Sequence, residues 1–246
     1  MKKIILGLIL GAGLLFGNQL SDSFVSSVNG TIAKCNDAQV YVSNGRYDTA
    51  ISYLYKALEL REETVRLAVE ELAKNEPMHE TIMLWHSVMT HFPIFNQICA
   101  LALGANNKSV INECFANLDK IEDVDKIPYE DFKRELRKNF NPIDVLTEHM
   151  GVYYGNMGDV KKVGELAKYS LTNYPHESSG WYLTGKYLAN QKYTKDNACF
   201  NVLATKKAYE LGATQKEVKE VATTEHNLKG CKSLEEYAKL FLQNGI

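Results

Sequence analysis

Residues 41–60 read Tyr41-Val42-Ser43-Asn44-Gly45-Arg46-Tyr47-Asp48-Thr49-Ala50-Ile51-Ser52-Tyr53-Leu54-Tyr55-Lys56-Ala57-Leu58-Glu59-Leu60. The pattern predicts the end of one helix, a tight turn at Asn44-Gly45 and a second helix. Gly45 suits a helix C-terminus because it takes φ > 0 without a Cβ clash. In the second helix Ala50, Leu54, Ala57 and Leu58 recur at i, i+4, i+7 and i+8, one apolar stripe. Two of these positions are alanine, so a neighbouring element must approach closely.

The same arrangement returns further along the chain. Asn141-Pro142-Ile143-Asp144 is a strong helix start, with Asn as N-cap, Pro at the first helical position and Asp facing the positive helix end. Gly151 and Tyr154 follow, then a turn at Asn156-Met157-Gly158-Asp159, then a helix ended by Pro175. A further copy opens with Trp181, Gly185 and Leu188. Its second helix aligns only if about four extra residues are allowed, which puts Asn197-Ala198-Cys199-Phe200 in an irregular stretch. A degenerate copy spans 93–123, where Pro93 opens a helix that ends near Gly104-Ala105-Asn106. Asn106 or Asn107 caps the next helix, with Val110, Cys114 and Leu118 spaced by four.

These units resemble tetratricopeptide repeats, helix–turn–helix units of about 34 residues that stack on one another. The resemblance covers 31–64 and 144–211, and 93–123 more loosely. It departs at Val163 and Ser170, which stand where alanines are usual. It implies an all-α fold of antiparallel helix pairs stacked as an α-solenoid. It also implies work as a holder of other molecules, since first helices of successive repeats line a groove for peptides. In that register the groove residues are Gln39 and Val42, Val152 and Asn156, and Tyr182, Lys186 and Asn190. A tyrosine and a lysine with an asparagine one turn later could bind a peptide backbone or carboxylate. Glu148 stands where a carboxylate clamp would want a cation.

The organisation outside the repeats is also legible. Gly30 weakens the helix expected before Ser43, and helix continues past Leu60 to Lys74. Pro77 opens a helix with Ile82, Trp85, Val88 and Met89 in a stripe. The acidic, irregular stretch 121–127 and a short charged helix after Pro128 make 124–141 a linker between residues 18–123 and 142–246. Gly212 suits a helix end. Thr214-Gln-Lys-Glu217 and Ser233-Leu-Glu-Glu236 have the form of capping boxes. The second opens a terminal helix with Leu234, Tyr237, Ala238 and Phe241 on one face, a cap for the stack. No stretch alternates convincingly with period two, so no strand is expected.

Residues 1–17 read as a signal peptide: a basic Met1-Lys2-Lys3, then an apolar run from Ile4 to Phe16 that is short for a membrane span. An uncleaved N-terminal anchor is the alternative, because Leu15 fits the small-residue rule poorly. No later run is long enough to span a membrane. The expected compartment is periplasmic or secreted, in a bacterium. Such a compartment permits disulfides. Of the five cysteines, Cys99–Cys114 would staple two antiparallel helices, and Cys199–Cys231 would tie the last repeat to the C-terminal segment. Buried reduced cysteines are the competing reading, and an odd count leaves one thiol over.

Among the 246 residues the charged fraction is 24% and the net charge −2, which provides no overall basic footprint for nucleic acid. The mixed signs around Lys133-Arg134 and Arg137-Lys138 read as a solvated helix face. His79, His86 and His91 stand seven and five apart, whereas two ligands on one helical face want three or four. There is no P-loop, dinucleotide fingerprint or nucleophile elbow. No catalytic residue, metal or cofactor is therefore assigned. The expected function is an exported protein–protein interaction scaffold that binds a peptide or protein. The alternatives are a cell-envelope glycan- or peptidoglycan-acting enzyme, which would need two carboxylates in a cleft, and a secreted host-interacting effector.

Overall fold

The turn at Gly45 forms as the sequence predicts. In the computed structural model, which describes residues 20–127, 130–137, 140 and 142–243, helix α1 (Asp22–Ser43) stops there and α2 (Tyr47–Leu72) starts. Gly45 has φ +70°. Its N–H donates to the Val42 carbonyl (3.0 Å) and the Arg46 N–H to the Tyr41 carbonyl (2.9 Å). This is a Schellman closure, which satisfies carbonyls that the helix end would orphan. The expected signal peptide at 1–17 lies outside the described residues.

All regular structure among the described residues is helical, with no strand, and neighbouring helices pack in pairs. The chain divides into two compact units, the first ending at Ile143 and the second beginning at Asp144.

In the first unit α2 is the hub. It packs against α1, α3 (His79–Thr90) and α4 (Ile94–Ala105). Ala50, Leu54, Ala57 and Ala68 on α2 are fully buried, so the alanines do allow close approach; Leu58 is only half-buried. Together the two long helices exceed a 34-residue unit: α1 has 22 residues and α2 has 26. No Gly or Pro lies between Tyr47 and Leu72, so nothing stops α2. Gly30 does not break α1; it sits where an added methyl would be 3.2 Å from Leu60 Cδ1. A buried polar seam joins the pair. The Ser27 and Thr64 hydroxyls are 2.7 Å apart and both reach the Leu60 carbonyl.

Pro77 lies in a 3₁₀ turn (Glu76–Met78) before α3, and Pro93 separates α3 from α4. The stretch Glu76–Ala105 has the length and mean hydropathy (1.3) of a membrane span. It is nevertheless shared by two helices of 12 residues each, about 18 Å apiece against roughly 30 Å of hydrocarbon. The turn into α5 (Lys108–Ala116) differs in detail from the sequence reading. The left-handed residue is Asn106 (φ +54°), and Gly104 remains inside α4. Asn tolerates this region because its short side chain bonds locally. Asn107 then caps α5 by accepting from the Val110 N–H (3.2 Å). The buried positions of α5 are Ile111 and Cys114, not the 110/114/118 series, because the helix ends at Ala116 before a further turn is made.

Cys99 and Cys114 join α4 to α5 as a disulfide, their Cα atoms 5.8 Å apart. Glu122 reaches back into this unit. It pairs with Arg61 of α2, and its other oxygen accepts from the Asn96 N–H in the first turn of α4 (3.0 Å). The expected linker region carries α6 (Glu130–Arg137) and a small apolar cluster of Val124, Ile127 and Leu136 with Phe140 against it. Pro128 and Asn141, read as helix starts, lie outside the described residues.

The second unit contains α7 (Ile143–Asn156), α8 (Val160–Asn173), α9 (Ser178–Ala189), α10 (Lys195–Glu210), α11 (Lys216–Thr223) and α12 (Leu234–Gln243). Gly158 (φ +75°) closes α7 as Gly45 closes α1: its N–H donates to the Gly155 carbonyl and the Asp159 N–H to Tyr154. Gly151 is a true close contact. An added methyl would overlap the fully buried Leu183 of α9, with Cδ1 at 2.9 Å. Gly185 plays the same part against Thr205 of α10, whose Oγ1 would be 2.7 Å from a Cβ. Ser170 is buried too, yet its hydroxyl meets Thr147 Oγ1 at 3.0 Å, so α7 and α8 are joined by a bond where alanine is usual. The irregularity expected at Asn197–Phe200 is absent. Those residues form the first turns of α10, whose N-cap Thr194 accepts from the Asn197 N–H; the extra length lies in 190–194.

Candidate functional site

The second unit gathers polar side chains from three helices. Tyr182 and Lys186 stand one turn apart on α9, so they share a face. Their partner is Glu217 of α11. The Tyr182 hydroxyl donates to Glu217 Oε1 (3.2 Å), and Lys186 Nζ lies 3.9 Å from the same oxygen. Lys186 Nζ also sits over the Tyr182 ring, 5.3 Å from its centre. Glu148 of α7 completes the group and accepts from Gln215 Nε2 (2.7 Å), just before α11. Among the described residues Gln215 Oε1 is buried and has no hydrogen-bond partner.

The electrostatics follow from burial. Desolvation raises the half-buried Glu148 carboxyl above its ordinary range, against the opposing pull of His149, the Gln215 bond and Lys186. Tyr182 is raised as well, first by burial and then by the Glu217 charge and hydrogen bond. The face can therefore accept a carboxylate at Tyr182 and Lys186, and a hydrogen-bond donor at Glu148.

The sequence-derived groove residues fare differently. Tyr182 is buried (5% exposed) and Lys186 half-buried, both engaged by α11. Val152 is half-buried and Asn156 exposed on α7. Asn190 is exposed at the end of α9, where its amide donates to the Lys186 carbonyl (2.8 Å). Gln39 and Val42, partly exposed, belong to α1 in the first unit. Sequence reasoning missed Gln215 and Glu217. Their signal was present but pointed elsewhere: Glu217 looked like one half of a capping box with Thr214. The structure corrects this, since α11 has no side-chain cap and Glu217 bonds across to α9 instead. The second box does form. Ser233 N–H donates to Glu236 Oε2 (2.9 Å) and Glu236 N–H to Ser233 Oγ (3.2 Å).

A second recess, of ≈ 250 Å³, lies among α9, α10 and α12 and is lined by Tyr187, Phe200, Tyr237 and Phe241. Its rings pack on one another, with Phe200 and Tyr237 stacked at 5.3 Å. Its carboxylate, Asp196, is taken by Lys232 Nζ (3.0 Å) and the Tyr237 hydroxyl (2.9 Å). The Cys199–Cys231 disulfide ties this segment to α10. These contacts read as the docking of α12. Among the described residues, no group of three or more His, Cys, Asp or Glu side chains could hold a metal ion.

Searches of protein-family models, of curated proteins and of solved structures return no match to this chain.

Proposed function

We propose that the chain is an exported protein–protein interaction scaffold, whose second unit holds a peptide or protein partner on the face built by α7 and α9. The observation that carries this is the carboxylate already seated there: Tyr182 and Lys186 hold Glu217 beside the donor-accepting Glu148. A face able to hold a carboxylate and an amide within one chain has the chemistry to hold them in another.

Three features support the wider reading. Cysteine pairs at bonding distance suit an oxidising compartment. The basic and apolar residues 1–17 would direct export to the periplasm or beyond it. Short Gly-closed turns and glycine contacts at Gly151 and Gly185 suit tetratricopeptide-like pairs, and the long α1–α2 pair would be a variant of that unit. The test is affinity capture after crosslinking in intact cells. A partner should be recovered with the wild-type chain and lost with Lys186→Glu, which places like charge beside Glu217 and Glu148. Equal recovery with both chains would count against this face.

A second reading is a glycan-acting hydrolase: the half-buried position of Glu148 on this face raises its carboxyl by desolvation, the direction that suits a general acid. Incubation with purified peptidoglycan would decide it. Product release by the wild type and none by Glu148→Gln would establish hydrolysis; no release by either would exclude it.

A further inference from the structure

The segment that carries α11 is poorly fitted to its own position. The helix has eight residues and one buried side chain, Val218. Its N-cap, Gln215, makes no capping bond, because its amide is turned to Glu148. Among the described residues Gln215 Oε1 is buried without a partner, a state that buried polar atoms rarely tolerate. Glu217 gives up the reciprocal bond to Thr214 that its spacing favours, and its bond to Lys186 is long at 3.9 Å. Local rules broken together at one place mark a function-bearing contact more often than a stable joint. By contrast α12, in the same unit, keeps its capping box and is tied by a disulfide.

The contacts of this segment are also those of a ligand. Gln215 offers a donor to Glu148, and Glu217, two residues later, offers a carboxylate to Tyr182 and Lys186. We propose that residues 213–224 are a built-in pseudo-ligand covering the α7–α9 face, displaced by a partner segment that presents a hydrogen-bond donor and, two residues on, a carboxylate. This rests on the peptide-holding reading of the same face. The physics is that of a closed fraction: a partner's apparent affinity is reduced by the share of molecules in which the face is covered. Removing the internal contacts raises that affinity without touching the face itself.

The probe is a fluorescent peptide of residues 212–224, tested on the full chain with its disulfides intact. The variant Gln215→Ala/Glu217→Ala should bind it about tenfold or more tighter than the wild type. A further Lys186→Ala should remove the gain, and a peptide with both positions changed to alanine should not bind. Equal binding by wild type and variant, including no binding by either, overturns the proposal. If the variant does not fold, hydrogen exchange on the wild type decides. The amides of 216–223 should exchange about a hundredfold or more faster than those of 199–208, by local opening; equal protection overturns it. A gain in peptide binding without any cellular partner would sink the scaffold reading and leave the latch standing. A cellular partner without the gain would do the reverse.

Discussion

Gly151 and Gly104 are both helical glycines, yet they should respond to alanine in opposite ways. A methyl at 151 would overlap the side chain of Leu183, which is fully buried and would have to shift within the core. Gly151→Ala should cost about 1–3 kcal/mol, as overpacking does. Gly104 faces open space, so Gly104→Ala should gain up to about 1 kcal/mol from reduced chain entropy. Denaturant unfolding of the two variants checks both signs. Glu148 provides a pH test at the same scale. Its carboxyl is raised by burial, so its protonated form favours the folded unit. That contribution is complete below the ordinary value of 4.5 and is lost as pH rises through the higher folded value. Asp144, His149 and Lys186 are the charged neighbours that tune it. Asp196 acts with opposite sign: the Lys232 and Tyr237 bonds lower it, so its contribution is present above 3.8 and fades as pH falls through its folded value. Between pH 7 and 4.5 the wild type should gain stability relative to Glu148→Gln. Parallel stability curves would contradict the burial argument.

At the scale of elements, two similar motifs separate into one that is formed and one that is not. Ser233→Ala should destabilise α12 by about 1 kcal/mol, since its hydroxyl accepts from the Glu236 N–H. Thr214→Ala should change stability by less than about 0.5 kcal/mol, since no capping bond is made there. Thermal melting of the two variants tests the contrast. The same pair shows what is legible in a sequence. Signals that act within a turn were readable: Gly45, Gly158 and Gly212 all take positive φ at helix ends, and Ser233 caps with Glu236. Signals that compete with a distant partner were not. Glu217 leaves its local box for Tyr182, 35 positions away. The cap of α5 was legible, since Asn107 is one of the two asparagines read there, whereas the start of α10 was not, because no local rule fixes where an insertion is absorbed.

At the scale of the whole molecule, the two disulfides carry the account of compartment. Cys99 and Cys114 are buried and close a separation of 15 residues; Cys199 and Cys231 close one of 32. Replacing either pair by serine should cost about 2–4 kcal/mol. Cys35 is the cysteine left over. Burial pushes its thiol up to about 12, more than the Arg61 charge lowers it, so it should alkylate slowly in the native protein. Non-reducing mass analysis should find four hydrogens fewer than the reduced chain, and one thiol that reacts slowly until the protein is denatured. Cys99 and Cys114 were legible as a pair because they flank a predicted turn, and Cys199 and Cys231 because one lies in the last repeat and the other in the C-terminal segment. The partner was not, because the face that would hold it is completed by α11 and no local signal announces that.

The most direct test of the central claim is site-specific photocrosslinking in intact cells, with the reactive group at Asn156 or Asn190, both exposed. The account predicts the same identified protein crosslinked from both positions and not from Lys74, exposed in the first unit. No adduct at either position, or an equal spread of adducts from all three, would contradict it.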